Sequence, residues 1–459
     1  MRTHLFDSSI LREYDIRGIV GKTLSALDAH AIGRAFGSVV VRMGGKTVCV
    51  GYDGRHSSPP FECAVVEGLL ASGLKVFRMG LGSTPMLYFG VNNLPADAGI
   101  MVSGSHNPPE YNGFKMMLGR APFFGSDIKR LGEIAAQADW TAGRGSCEDV
   151  DILEPYVSRM ARDYVSRNGL KVAWDAGNGS AGPAMVRLTE KLPGSHELIN
   201  EKVDGNFPNH HPDPTVPECL EQLKDVVVQS GSDIGLAFDG DGDRIGALDE
   251  KGRILWGDQL MILLAADVLK SHPNATIIAD VKASQVLFDE IKRMGGRPMI
   301  WRTGHSLIKA RMAEVGSPLA GEMSGHIFFA DKWYGFDDGL YAAVRLLNYL
   351  AELKNPLSEI RDSFPKVFNT PELRFRCNDE RKIEVVSEVS NRVKLTEENI
   401  VDVDGIRVQT EDGWWLLRAS NTEDVLVARC EADSEDGLER VYQALGEQLS
   451  KSHIDFPSK

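Results

Sequence analysis

The chain has 459 residues, 42% apolar and 25% charged, ordinary usage for soluble globular domains and length enough for about three or four of them. Its formal net charge of −14 gives no basic footprint for nucleic acid, so an anionic ligand must be drawn by a local basic pocket. The longest strongly apolar run, about residues 260–269, is too short to span a bilayer. Asp7, Arg12, Glu13 and Asp15 interrupt the place of a secretory signal, and six cysteines without CxxC spacing fit a reducing compartment, so a cytoplasmic chain is expected.

Three apolar runs of strand length end in aspartate and meet a turn: 48–53, 171–175 and 276–280. Each is followed by a stretch of helical length and a second short run, at 75–80, 196–200 and 298–302. Strands alternating with helices, repeated every 105–120 residues or so, predict related α/β units rather than a short-period solenoid. Polar stretches at 141–151, 249–252 and 363–366 separate units at 1–151, 152–250, 251–366 and 367–459. The last reads differently. Strands are expected at 370–376, 414–417 and 425–429, then a helix over 433–450 with Ser434 as N-cap and Leu438, Val441, Tyr442, Leu445 and Leu449 at helical spacing. The expected fold class is α/β: three similar mixed α/β domains and a smaller C-terminal α+β domain.

Four loops carry chemistry. After a strand-like 232–238, Asp239-Gly-Asp-Gly-Asp-Arg244 sets three carboxylates on alternate residues, a donor set suited to a hard cation such as Mg²⁺ or Ca²⁺. An EF-hand is rejected, because Arg244 stands where that turn needs glycine and the flanks read as strands. The loop after 100–102 carries Ser105, His106 and Lys115. Read alone, it is either a turn or a serine nucleophile, and no G-x-S-x-G elbow supports an α/β-hydrolase triad. Gly321-Glu-Met-Ser-Gly-His326, after an apolar 318–320, offers donors and acceptors suited to sugar hydroxyls, or a polar turn. Arg418-Ala-Ser-Asn-Thr422 makes a plausible anion cradle between two strands.

Together, and in this order, these segments resemble the α-D-phosphohexomutases, within them the bacterial phosphomannomutase/phosphoglucomutase type. The resemblance spans essentially the whole chain: Tyr14-Asp-Ile-Arg-Gly18, Ser103-Gly-Ser-His-Asn-Pro-Pro-Glu-Tyr-Asn-Gly-Phe-Lys115, Asp239–Arg244, Arg302-Thr-Gly-His-Ser-Leu-Ile-Lys309, Gly321–His326 and Arg418–Thr422. It implies four domains around a central cleft. Ser105 would be phosphorylated and would exchange its phosphoryl group with O1 or O6 of a hexose phosphate through a hexose 1,6-bisphosphate. Asp239, Asp241, Asp243 and the phosphorylated Ser105 would hold Mg²⁺, with Arg244 adding positive charge. Lys115 would be the general acid/base, with Arg17 and His326 as rival contributors. Glu322 and Ser324 would bind O3 and O4, which glucose and mannose share, so dual use is expected. Arg418, Ser420, Asn421 and Thr422 would hold the far phosphate. Tyr14, Lys282 and His305 would line the cleft, and His106 would position the serine loop.

The implied partners are small hexose phosphates, with no nucleic acid, no membrane and a monomeric chain. The alternatives are a serine phosphohydrolase, a mutase for another hexose phosphate such as glucosamine phosphate, and a non-catalytic binder. Two departures stand out: Ser103-Gly104 where many relatives have Thr-Ala, and Glu423-Asp424 after the phosphate loop, where inward carboxylates would weaken anion binding.

Overall fold

A computed structural model describes residues 3–395, 399–421 and 423–456. The strand-end aspartates sit where the repeat predicts. Strand Thr47–Tyr52 precedes Asp53, while Leu170–Asp175 and Thr276–Asp280 end in theirs.

Each run is the first strand of a sheet unit with one topology. In the first unit, Thr47–Tyr52 pairs in parallel with Lys75–Leu81 on one side and Ala98–Val102 on the other, and Tyr111–Leu118 then adds antiparallel to Ala98–Val102. In the second, Leu170–Asp175 lies parallel between Gly194–Ile199 and Ile234–Phe238, and Ile245–Asp249 adds antiparallel. In the third, Thr276–Asp280 lies between Arg297–Trp301 and Leu319–Gly321, and Ile327–Phe329 adds antiparallel. The first sheet also takes Ile16–Ile19, Ala121–Pro122 and Ser146–Asp149, and the second Ile254–Leu255.

Burial refines the sequence reading. The strand-like 232–238 narrows to Ile234–Phe238, and all five of its residues are buried. Both of its faces are covered, as parallel sheets require when helices pack on each side. The apolar 260–269 lies in the core helix Gly257–Ser271. One apolar cluster runs through the first three units, joining Phe89, Trp174, Leu263 and Tyr341 among others, and a second fills the far face of the first sheet around Phe36 and Phe114.

The last unit is an antiparallel sheet ordered Phe368–Asn369, Val425–Ala432, Gly413–Ala419, Ile406–Gln409, Ile400–Val401. The single strand expected at 370–376 splits into Phe368–Asn369 and Leu373–Arg376, both antiparallel to Val425–Ala432. Pro371, which has no N–H for a ladder, lies in the break. Helix Glu435–Ser450 starts at Ser434, whose side chain accepts from Gly437 N, and Leu438, Val441, Tyr442, Leu445 and Leu449 face the core.

Candidate active site

The topology explains why four distant segments meet. In each of the first three units the loop of interest joins the third strand to its antiparallel neighbour. The Ser105 loop follows Ala98–Val102, the Asp239 loop follows Ile234–Phe238 and the Glu322 loop follows Leu319–Gly321. These are equivalent turns of one repeated fold. An antiparallel bridge between Arg244 and His326 ties the second loop to the third. The fourth turn joins Gly413–Ala419 to Val425–Ala432.

Ser105 is buried and adopts φ 50, a left-handed conformation that is uncommon outside glycine. Its Oγ donates to Asp239 Oδ2 at 2.8 Å and lies 3.1 Å from His106 Nδ1. The strained turn is held from behind by Arg55, which donates to the carbonyls of Ser105 (2.7 Å), Asn107 (2.5 Å), Pro108 (2.6 Å) and Tyr111 (3.1 Å). Asp53 Oδ2 lies 3.3 Å from Arg55 Nε and accepts Gly104 N at 3.0 Å. This accounts for Gly104, since a Cβ there would lie 2.3 Å from Arg55 Nε. Arg17 donates to Gly104 O at 3.2 Å and to the side chains of Asn107 and Asp15.

Asp239, Asp241 and Asp243 are fully buried with ligand oxygens within 4.8 Å of one another. Asp239 Oδ1 accepts the N–H groups of Asp243 (3.0 Å) and Arg244 (3.2 Å). Asp241 Oδ2 accepts from Thr84, Ser103 and Lys115, and Lys115 also donates to Asp243 Oδ2. Asp241 Oδ1 and Asp243 Oδ1 are left buried with no hydrogen-bond partner. Burial and the neighbouring carboxylates push Asp239 well above the usual range and raise Asp243. Burial also opposes the charge on Asp241, but Lys115 and the hydroxyls outweigh it and lower its pKa. Hard oxygen donors, two of them orphaned and crowded by like charge, fit a divalent cation.

Burial opposes the charge on Lys115 as well, yet Asp241 and Asp243 hold it well above its ordinary value, so it is an ammonium. Burial, then Arg244, Arg17 and Lys115, push His106 far below its ordinary value, so it is neutral. Burial and Lys309 do the same to His305. Arg244 Nε donates to His326 Nε2 at 3.0 Å. The ring hydrogen of a neutral His326 is therefore on Nδ1, 3.0 Å from Asp337 Oδ2. Asp243, His326 and Asp337 also place ligand atoms close together, but that protonated nitrogen disfavours a second metal site. Lys309 Nζ sits 2.8 Å from Asp337 Oδ1.

In the third loop, Glu322 is buried. It accepts Gly304 N at 2.5 Å and, through its other oxygen, Ser324 Oγ at 3.3 Å. Tyr14 reaches across from the first unit: its hydroxyl donates to Thr303 O at 2.8 Å and accepts from Asn421 Nδ2. Its ring also accounts for Gly304, where a Cβ would come within 2.6 Å of Tyr14 Cζ. Lys282 pairs with Glu372 at 3.1 Å. Arg418 Nε donates to Asp404 Oδ2 at 2.9 Å, and the same oxygen accepts Thr303 N at 3.0 Å. Ser420 Oγ accepts Glu423 N at 3.2 Å, while Thr422 lies outside the described residues. The two carboxylates of concern, Glu423 and Asp424, are exposed, and Glu423 pairs with Arg374.

A cavity of about 710 Å³ between the first and third units borders the site through Tyr14, Lys115 and His305; Ser105, Glu322 and Arg418 do not line it. The structure thus brings together Ser105, His106, Lys115, Arg17, the three aspartates, Arg244 and His326 in one network, and joins Tyr14, Glu322, Arg418 and Asn421 around the backbone of Thr303 and Gly304. Sequence reasoning missed Arg55, Thr84, Asp337 and Asp404. None lies in a recognisable loop motif, although Arg55 follows the strand-end Asp53 by two residues.

Comparison with known proteins agrees with the order of the four units. Family models for phosphoglucomutase/phosphomannomutase match in order: alpha/beta/alpha domain I over residues 8–141, domain II over 154–252, domain III over 256–368 and the C-terminal domain over 372–448. A phosphomannomutase/phosphoglucomutase of Pseudomonas aeruginosa is 44% identical over 450 residues, 98% of this chain and 97% of that one. A phosphoglucomutase of Neisseria gonorrhoeae is 42% identical over 98% of each chain. A crystal structure of a phosphoglucomutase/phosphomannomutase family protein from Burkholderia thailandensis superposes with a TM-score of 0.94 at 42% identity, covering 98% of this chain and 100% of that one. With a buried serine and three buried aspartates brought together by equivalent turns of one repeated fold, and with relatives matching along nearly its whole length, the chain belongs to the α-D-phosphohexomutase family, of the bacterial phosphomannomutase/phosphoglucomutase type, and is a mutase.

Proposed function

We propose that this mutase moves phosphate between O1 and O6 of mannose and glucose phosphates, through phosphoserine 105 and a hexose 1,6-bisphosphate. The observation that carries the reading is the contact of Ser105 Oγ with Asp239 Oδ2 at 2.8 Å, beside two orphaned carboxylate oxygens. Asp239, Asp241, Asp243 and phosphorylated Ser105 would hold Mg²⁺, which when bound neutralises charge on the phosphoryl oxygens. The names of the relatives support both sugars.

In the first transfer a sugar hydroxyl oxygen bonds to phosphorus and the bond from phosphorus to Ser105 Oγ breaks. Lys115, held charged by Asp241 and Asp243, is the general acid/base: it gives a proton to Ser105 Oγ as the bond to phosphorus breaks and takes back the proton shed by the sugar hydroxyl, with Arg17 and His326 as further contributors. Arg244 adds positive charge, and His106 and Arg55 fix the serine loop. Glu322 and Ser324 take O3 and O4. Arg418, Ser420, Asn421 and Thr422 take the far phosphate, with Tyr14, Lys282 and His305 beside it. The bisphosphate then turns over and returns its other phosphoryl group to Ser105. Glucosamine phosphate and a hydrolytic outcome are less favoured, because the relatives are named as mannose and glucose enzymes and a hydrolase needs no cradle for a retained far phosphate.

The units 1–151, 152–250, 251–366 and 367–459 act as the four walls of the cleft. The chain works as a monomer in the cytoplasm without nucleic acid or membrane. Among the described residues no helix is long and apolar enough to cross a bilayer.

The test supplies Mg²⁺ and a trace of glucose 1,6-bisphosphate, then mannose 1-phosphate and glucose 1-phosphate in turn. Both 6-phosphates should form without free phosphate, and Ser105→Ala should abolish turnover. Release of inorganic phosphate without isomerisation would overturn the proposal.

A further inference from the structure

The cation site proposed in the second unit is gripped by the first. Thr84 opens helix Thr84–Asn93, and Ser103 follows strand Ala98–Val102; both side chains are fully buried. Thr84 Oγ1 donates to Asp241 Oδ2 at 2.5 Å and Ser103 Oγ donates to the same oxygen at 2.8 Å. Lys115 Nζ adds a third bond at 2.7 Å. Thr84 N also donates to Asp241 O at 2.9 Å, so the backbone of the loop is pinned along with its carboxylate. Ser103 Oγ in turn accepts Ser105 N at 2.8 Å, which links the reacting serine to the same carboxylate.

Three donors fill the acceptor capacity of Oδ2 and fix the rotation of the carboxylate group. The other oxygen, Oδ1, is left buried without a partner. A buried anionic oxygen with no donor is costly, and a cation is the partner that removes the cost without another proton. Lys115 belongs to the reacting machinery, so the two neutral hydroxyls are the permanent part of the clamp.

We infer that Thr84 and Ser103 are positioning residues that reserve Asp241 Oδ1 for a divalent cation, so that the first unit sets the metal affinity of a loop belonging to the second. This also gives the hydroxyl of Ser103, one of the two sequence departures, a task distinct from phosphoryl transfer. The inference rests on the reading that the aspartate loop holds a divalent cation, and the experiment separates the two.

The full-length protein is titrated with Mn²⁺, and bound ion is read by electron paramagnetic resonance for wild type, Thr84→Val, Ser103→Ala, Ser103→Thr and Asp241→Asn. Outer partners of metal ligands are typically worth about 10–100-fold in affinity. Thr84→Val and Ser103→Ala should each weaken Mn²⁺ binding by about that factor, with Ser103→Thr restoring it. The Mg²⁺ concentration for half-maximal turnover should rise in step, with kcat largely recovered at saturating Mg²⁺. Loss of packing alone would lower the metal-free melting temperature and leave Mn²⁺ affinity unchanged; that outcome overturns the inference and spares the cation site. Absence of Mn²⁺ binding by wild type, or undiminished binding by Asp241→Asn, overturns the site and the inference with it.

Discussion

Asp53 in the first unit and Asp280 in the third occupy the same place in the repeat, at the end of the first parallel strand, and both are buried. Both hold a loop of the site. Asp53 accepts Gly104 N at 3.0 Å, and Asp280 accepts Met323 N at 3.2 Å and Thr303 Oγ1 at 3.2 Å. They differ in counter-charge. Asp53 has the guanidinium of Arg55 at 3.3 Å, locked by four carbonyls. Lys282, the cation nearest Asp280 in sequence, bonds instead to Glu372 of the last unit. Burial therefore raises Asp280 to about 6, with Lys282 only partly opposing it. One repeated residue gives a rigid, permanently paired anchor at the serine and a titratable anchor at the sugar loop.

The largest effect should come from breaking the rigid anchor. Arg55→Ala removes four loop bonds and leaves Asp53 buried without its cation. Breaking a buried pair in this way typically costs about 3–5 kcal/mol, and kcat should fall steeply as Ser105 leaves its strained turn. Arg55→Lys should recover little of either, because an ammonium cannot span four carbonyls as a planar fork does. Urea melts and turnover of both variants would check this; a lysine variant close to wild type would remove Arg55 from the account.

The titratable anchor predicts the opposite sign. An acid whose folded pKa lies above its unfolded value binds more protons in the folded state between the two. Through Asp280, stability is greatest below pH 4 or so and declines until the pH passes about 6. The two-unit gap corresponds to at most about 3 kcal/mol. Asp280→Asn should therefore stabilise the protein at pH 8 and change little at pH 4.5, read from denaturant melts at the two pH values. Equal effects at both would refute the difference in counter-charge.

How much of this could be read from the sequence follows from where each interaction lies. The strands ending at Asp53, Asp175 and Asp280 were legible because apolar runs ending in a turn residue are local. So were the Asp239 and Ser105 loops, whose chemistry is packed into a few adjacent positions. Arg55 was not, because its targets lie about 50 residues away and nothing in its neighbours marks a guanidinium aimed at carbonyls. Thr84 was hidden for the same reason, its partner Asp241 lying 157 residues on. The direction of Glu423 was also beyond the sequence; it depends on Arg374, which a separate strand brings alongside.

Gly104 sharpens the comparison from the other side. A methyl group there would meet the guanidinium of Arg55, whose four carbonyl bonds leave it no room to move. Overpacking of this kind costs about 1–3 kcal/mol. Gly104→Ala should thus destabilise the native chain and weaken Ser105 phosphorylation by glucose 1,6-bisphosphate. In an Arg55→Ala background the same change should cost much less, and a double-mutant cycle that sums additively would break the link.

The second unit supplies the intermediate case. Asp175 is paired with His210, whose Nε2 lies 2.8 Å from Asp175 Oδ2 while its Nδ1 lies 2.9 Å from His211 O. Both ring nitrogens face acceptors, a pattern that suits the doubly protonated ring, and Nε2 also lies 3.3 Å from Asn200 Nδ2. Burial opposes that charge, but the bond to Asp175 and its negative charge prevail and raise the pKa of His210. A base with a raised folded pKa contributes stability that is complete below its unfolded pKa, near 6.5, and is lost as pH climbs through the folded value. This anchor should therefore weaken on the alkaline side, where Asp280 has already reached its plateau and Asp53 keeps its arginine. His210→Gln keeps a neutral donor for one acceptor and removes the titration. It should cost about 1 kcal/mol more at pH 6 than at pH 9. If the loss is the same at both, His210 is neutral in the folded chain, and Asp175 is held by hydrogen bonds from Asn200 and Gly177 rather than by charge.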